Sequence, residues 1–182
     1  MSTRANITIN KGESKIILYR HYDGYPTVTG IDILNKIKRN TDTNGLVSDL
    51  LSESYEGGKK VYEITNEIHG DIEYDYEINV PKLSYNFKHK DVEGKYTSMP
   101  KITIKERKII ETYEDGVRDY LISWTTIHDN ETYEDLLPIF LRAKDKQDVD
   151  FYSKLSPEQL KFYKVDPTEI EEARERLKKN QY

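Results

Sequence analysis

The chain has 182 residues, with 33 acids against 28 Lys and Arg, 15 tyrosines and no cysteine. That length suits one domain, or one domain with a small appendage, and the missing cysteines exclude disulfides, thiolate zinc sites and a cysteine nucleophile. A mean hydropathy of −0.83 is polar, yet so many aromatic and β-branched residues exclude a disordered chain.

Met1 to Ile7 lacks the apolar core of a secretory signal. No apolar run approaches the length of a membrane span, so a cytoplasmic protein without membrane contacts is expected. Ala5 to Asn10 and Lys15 to Tyr19 read as a hairpin turned at Lys11-Gly12. Arg20-His21-Tyr22-Asp23-Gly24-Tyr25-Pro26 leaves the second strand through an Asp-Gly turn. A helix follows from Thr29 to Arg39, burying Ile33, Leu34 and Ile37, with Lys36, Lys38 and Arg39 suiting its C-terminal dipole. Asn44-Gly45 breaks it, and Leu46, Val47, Leu50 and Leu51 mark a second short helix.

The middle of the chain reads as β. Val61 to Ile68 and Ile72 to Val80 alternate strictly about His69-Gly70-Asp71, and Leu83 to His89 and Lys101 to Lys108 follow around a bend at Val92-Glu93-Gly94. Lys108 to Tyr113 and Tyr120 to Ile127 form a further hairpin about Glu114-Asp115-Gly116, although Ile109, Ile110, Tyr113 and Val117 also fit a helix. From Asp129 the period is helical, with Asp129 or Asn130 as cap. Ser156-Pro157 and Asp166-Pro167 each open another helix, with the capping residue set before proline. The expected fold is α+β: a mainly antiparallel β-sheet with a helical pair after strand two and a helical C-terminal region. Residues 1–128 form the sheet domain, and residues 129–182 the helical region packed on it.

Charge is unevenly placed. Glu53 to Val80 holds eight acids against Lys59 and Lys60, a net −6, while the basic block from Lys82 to Lys108 holds eight bases against three acids. In residues 61–80, matching apolar with apolar sets Ile68 against Ile72, Ile64 against Tyr76 and Tyr62 against Ile78. The other face then opposes Glu67 to Glu73, Thr65 to Asp75 and Glu63 to Glu77. Like charges directly opposed are unfavourable by about 0.2–1 kcal/mol, less than the cost of burying carboxylates. An acidic hairpin plate of Glu63, Glu67, Glu73, Asp75 and Glu77 is therefore expected. It is either a solvated outer face, a binding surface for a basic partner or, through Glu67, Asp71 and Glu73, a cation site.

No zincin pair, phosphate loop or nucleophile elbow occurs among these residues. Arg20, His21 and Asp23 are the one candidate catalytic cluster, against a purely structural turn. The basic block either touches phosphate or neutralises the acidic residues within the fold.

The string Ser2-Thr3-Arg4-Ala5-Asn6-Ile7, followed by Leu18-Tyr19-Arg20-His21-Tyr22-Asp23-Gly24-Tyr25-Pro26, resembles the opening of small proteins encoded by phages, prophages and other mobile elements of Firmicutes. Arg20, His21, Asp23 and Tyr25 form the signature turn, to which no chemistry attaches. In length and overall sequence the chain also resembles type II-A anti-CRISPR proteins, the inhibitors of Cas9. That resemblance implies a non-enzymatic protein in the bacterial host cytoplasm. It would bind Cas9, or Cas9 with its guide RNA, without cofactor or metal, and block target binding or cleavage. The alternative is a nucleic-acid-binding protein of a mobile element using Lys82 to Lys108; for the Cas9 inhibitor, direct DNA binding is not expected. The narrow apolar seam of the last helix leaves a homodimer open.

Overall fold

Ile7 and Ile9 alternate with Asn6 and Thr8, and that period of two builds the central strand of the sheet. The computed structural model describes residues 3–40, 43–52, 55–56, 59–81, 83–85, 94–96, 99–114 and 117–180. β1 (Ala5–Lys11) and β2 (Ser14–Arg20) form the expected antiparallel hairpin, with Gly12 in the left-handed region at φ 61°. A π-helical turn (Pro26–Gly30) leads into α1 (Ile31–Arg39), which buries Ile33, Leu34 and Ile37 as predicted. Its Lys36 departs from expectation: rather than meeting the helix dipole in solvent, it is fully buried and ion-paired to Asp32 one turn earlier. α2 (Thr43–Ser52) runs through Asn44-Gly45, because Leu46 and Leu50 bury against the core strongly enough to override the glycine.

Two short ladders, β3 (Tyr55–Glu56) with β4 (Lys59–Lys60) and β7 (Leu83–Tyr85) with β8 (Gly94–Tyr96), stand apart from the main sheet. The predicted bend at Val92-Glu93 and strand residues 86–89 lie outside the described residues. The main sheet adds β5 (Tyr62–Thr65), β6 (Tyr74–Asn79), β9 (Lys101–Glu114) and β10 (Val117–Glu131), in the order β10-β9-β6-β1-β2-β5. Every neighbouring pair is antiparallel except β1 with β6, so the fold is α+β on a mainly antiparallel sheet.

The expected 61–80 hairpin is not formed. β5 pairs with β2, β6 pairs with β1 and β9, and two strands separate them. Alternation fixes the face each side chain takes but not the neighbouring strand, and here β1 holds the centre with Ala5, Asn6, Ile7, Thr8 and Ile9 all buried. Residues 66–73 instead cross the sheet. Asn6 Nδ2 donates to the His69 carbonyl at 3.3 Å, and Tyr19 stacks on His69 at 4.0 Å between ring centroids. A tight turn at 69–71 would forfeit both contacts. Ile72, within this crossover, is buried, while Ile64 and Ile68 are 59 and 52 % exposed.

One face of the sheet carries the core. Leu18, Tyr62, Tyr76, Ile78, Ile102 and Ile104 meet α1 and α2 there, together with Leu136 and Phe140 of α3 (Tyr133–Tyr152). β10 runs on to Glu131, so the cap of α3 is Thr132 in a capping box with Asp135, not Asp129 or Asn130. α4 (Pro157–Tyr163) and α5 (Pro167–Lys179) are capped by Ser156 and Asp166 as read. α5 lays Ile170 and Ala173 on α3, and Arg176 grips Asp145 at 2.8 Å, so its apolar seam is filled from within the chain. Among the described residues no helix is long and apolar enough to cross a membrane.

Candidate functional site

The sheet face turned away from the helices carries the charges singled out above. Register sets Glu63, Tyr19, Asn6, Asp75 and Lys105 in one row across it, and Thr65, Ile17, Thr8, Glu77 and Thr103 in the next. Glu63, Asp75 and Glu77 therefore share a face, but β5 and β6 lie three strand spacings apart, roughly 14 Å. No two of the five carboxylates oppose each other across a strand pair.

Each is placed by its surroundings. Glu63 lies 3.5 Å from His21 Nε2. Glu73 accepts the Arg4 main-chain N–H at 2.6 Å and stands 3.7 Å from Arg107 Nη2. Glu77 accepts from Asn10 Nδ2 at 2.9 Å, and Asp71 pairs with Arg4. Glu67 is exposed within the crossover. Glu67, Asp71 and Glu73 therefore do not converge on a cation, and among the described residues no three His, Asp or Glu are grouped to hold a metal ion. Asp75 differs from the rest. Its Oδ1 is buried without a hydrogen-bond partner, and burial pushes its pKa up against the opposing pull of Lys105 across the strand pair.

Lys101, Lys105 and Arg107 project to this same face, beside Asn79, Asp75 and Glu73. The face is a mixed lattice of charge. The side chains of Lys82 to Lys95 lie outside the described residues.

The signature turn is built for packing. Asp23 sits at φ 56°, and its carbonyl accepts from Thr29 Oγ1 at 2.7 Å. Gly24 donates to the Thr3 carbonyl at 2.9 Å and accepts from the buried Tyr76 hydroxyl at 2.7 Å. Tyr25 reaches back to Asp23 Oδ1 at 3.0 Å. Arg20 turns into the core, where its Nη1 donates to Tyr62 Oη at 2.5 Å; Tyr62 in turn donates to Asp32 at 2.7 Å. Burial pushes the Tyr62 and Tyr76 hydroxyls well above the usual phenol range. His21 points the other way, its ring 4.8 Å from that of Tyr19. Arg20, His21 and Asp23 thus diverge, and the candidate catalytic cluster does not assemble.

One feature escaped the sequence. Only Lys101–Glu106 of β9 lies against β6; the rest of the β9–β10 hairpin projects beyond the sheet. It carries Ile109, Tyr113, Tyr120, Ile122 and Trp124 on one face, each between 43 and 64 % exposed, and Ile110 and Leu121 on the other. Adjacent apolar residues at 109–110 and 121–122, in strands of 14 and 15 residues, were the available signal. A strand apolar on both faces needs two covering layers, and along this projecting stretch both faces are open, with Ile110 and Leu121 45 and 58 % exposed.

No protein-family model, curated protein or solved structure matches the chain.

Proposed function

We propose that this chain is a non-enzymatic inhibitor of Cas9, binding the nuclease or its guide-RNA complex through the helix-free sheet face around Glu63, Asp75 and Glu77. The resemblance of the N-terminal string and of the whole chain to type II-A anti-CRISPR proteins supplies the identity of the partner. The observation that supports the surface is Asp75: a carboxylate whose pKa burial pushes up and whose Oδ1 has no hydrogen-bond partner, set on the same face as Glu63 and Glu77. Carboxylates perturbed by burial beside a charged neighbour gather at functional sites. Cas9 holds a heteroduplex in a positively charged channel and reads its adjacent motif with arginines, and a guanidinium pairs well with a carboxylate such as Glu63 or Glu77.

Nucleic-acid binding through the basic block is the weaker reading, because Lys105 and Arg107 sit beside Asp75 and Glu73. The test is a pull-down on Cas9 with and without guide RNA, then a cleavage assay with the Glu63→Lys/Glu77→Lys double variant. Glu73 is left intact because it anchors the start of β1. Inhibition is expected to fall at least tenfold in a variant that retains its far-ultraviolet dichroism; unchanged inhibition removes this surface from the contact. A gel-shift titration against salt settles the other reading, with no DNA retardation expected.

A further inference from the structure

We propose that two copies of this chain pair along β10, antiparallel, with Ile122 opposite Ile122 of the second copy. The sheet has two edges. β5 is four residues long and carries Glu63, the short, charged edge that resists pairing. β10 is 15 residues long, and Tyr120 to Ile127 within it hold no charge and no proline. Breaks in the β9 register after Thr126 and His128 bend the end of β10 near the helices, leaving a regular outer stretch from Val117 to Thr126. A long, regular, uncharged edge is a template for another strand.

The sequence of β10 complements itself. With Ile122 at the two-fold axis, Tyr120 meets Trp124 of the second copy twice, on the outer face. Leu121 then meets Ser123, Asp119 meets Thr125, and Arg118 meets Thr126. No like charges are opposed, and the aromatic and β-branched pairs are those that favour cross-strand contact. Tyr120, Leu121, Ile122 and Trp124 are 52, 58, 55 and 43 % exposed. An aromatic side chain buries about 150–250 Å², so these two rings alone offer roughly 200 Å² per copy at half exposure. Leu121, Ile122 and the main-chain edge bring the total towards the roughly 600 Å² per partner of a small specific interface. That area fits a weak, concentration-dependent dimer. An antiparallel pair on a two-fold axis has that axis normal to the sheet, so two six-stranded sheets become one of twelve with both outer faces on the same side.

The chain has no cysteine, which makes single-cysteine variants clean reporters. Under mild oxidation Ile122→Cys is expected to form an inter-chain disulfide at least tenfold faster than Leu121→Cys, whose residue faces Ser123 in this register. In sedimentation velocity the wild-type chain is expected to shift from monomer to dimer between low and high micromolar concentration. Trp124→Lys should weaken that association tenfold or more while its circular dichroism is unchanged. A monomer at every concentration, or equal crosslinking at positions 121 and 122, overturns the proposal.

Discussion

Replacing Gly24 by alanine tests whether the signature turn is there to be packed against. A Cβ at position 24 would lie 2.7 Å from the Arg4 carbonyl carbon and 2.9 Å from its oxygen. Neither atom can swing aside as a side chain would. The Arg4 carbonyl accepts from the Glu73 and Tyr74 N–H groups at 3.0 and 3.3 Å, and its own N–H is held by the Glu73 carboxylate. Relief therefore moves the start of β1 away from β6, or the turn away from β1. Overpacking of this kind costs about 1–3 kcal/mol. Gly24 is not in the left-handed region, so alanine gains back about 0.4–1 kcal/mol through the unfolded chain. The net loss of about 1–2 kcal/mol, at about 2–4 °C per kcal/mol for a chain of this size, lowers Tm by roughly 2–8 °C. Thermal unfolding followed by circular dichroism reads it, with Gly70→Ala as control, since a Cβ there meets nothing within 4 Å. A Gly24→Ala protein that unfolds no earlier than wild type would refute the packing account of the signature.

Tyr62→Phe removes the hydroxyl that joins Arg20 to Asp32 inside the core. With no volume change, the loss of about 1–3 kcal/mol comes from the unpaired groups, and a urea midpoint equal to wild type would show the bridge to be idle. Asp75→Asn should stabilise the protein near neutral pH. The folded pKa of Asp75 is raised, so the carboxylate subtracts stability as pH rises from its unfolded value of about 3.9 through the folded one. The gain in Tm should vanish below about pH 4, and a gain of the same size at both ends of the range would mean that ionisation is not its source.

The faces of the strands were legible in the sequence, and their neighbours were not. Ile7, Ile9, Tyr76 and Ile78 go inward while Asn6, Glu63, Asp75 and Glu77 go outward, because alternation is a local property of each strand. Pairing is a non-local choice, decided here by contacts of the 66–73 crossover with Asn6, Tyr19 and Arg4 that no period announces. Helix starts were read well at Ser156 and Asp166, where capping residue and proline act within one turn. The start of α3 was missed because β10 continues through His128 to Glu131 with two register breaks. Lys36 was misplaced for the same reason as the hairpin: its partner Asp32 is local, but Asp32 is also held by Arg20 and Tyr62 from the sheet. Tyrosine proved divided, with Tyr19, Tyr62 and Tyr76 interior and Tyr113, Tyr120 and Tyr163 wet.

The crossover also narrows what the outer face has to offer. Residues 66–73 cover Asn6 and Tyr19, and Asp71 and Glu73 are spent on Arg4 and Arg107. The other carboxylates of this face are Glu63, beside His21 at one edge, and Asp75 with Glu77 in the middle, charges spread over roughly 14 Å rather than stacked in a ladder. A spread of that kind suits an extended surface of separate cations better than one tightly held ion. Pairing along β10 would double this surface on one side without touching it, because β9 lies between β10 and the strand, β6, that carries Asp75. Association and partner binding would then be separable: Trp124→Lys acts on the first, Glu63→Lys/Glu77→Lys on the second, and neither set of residues contacts the other.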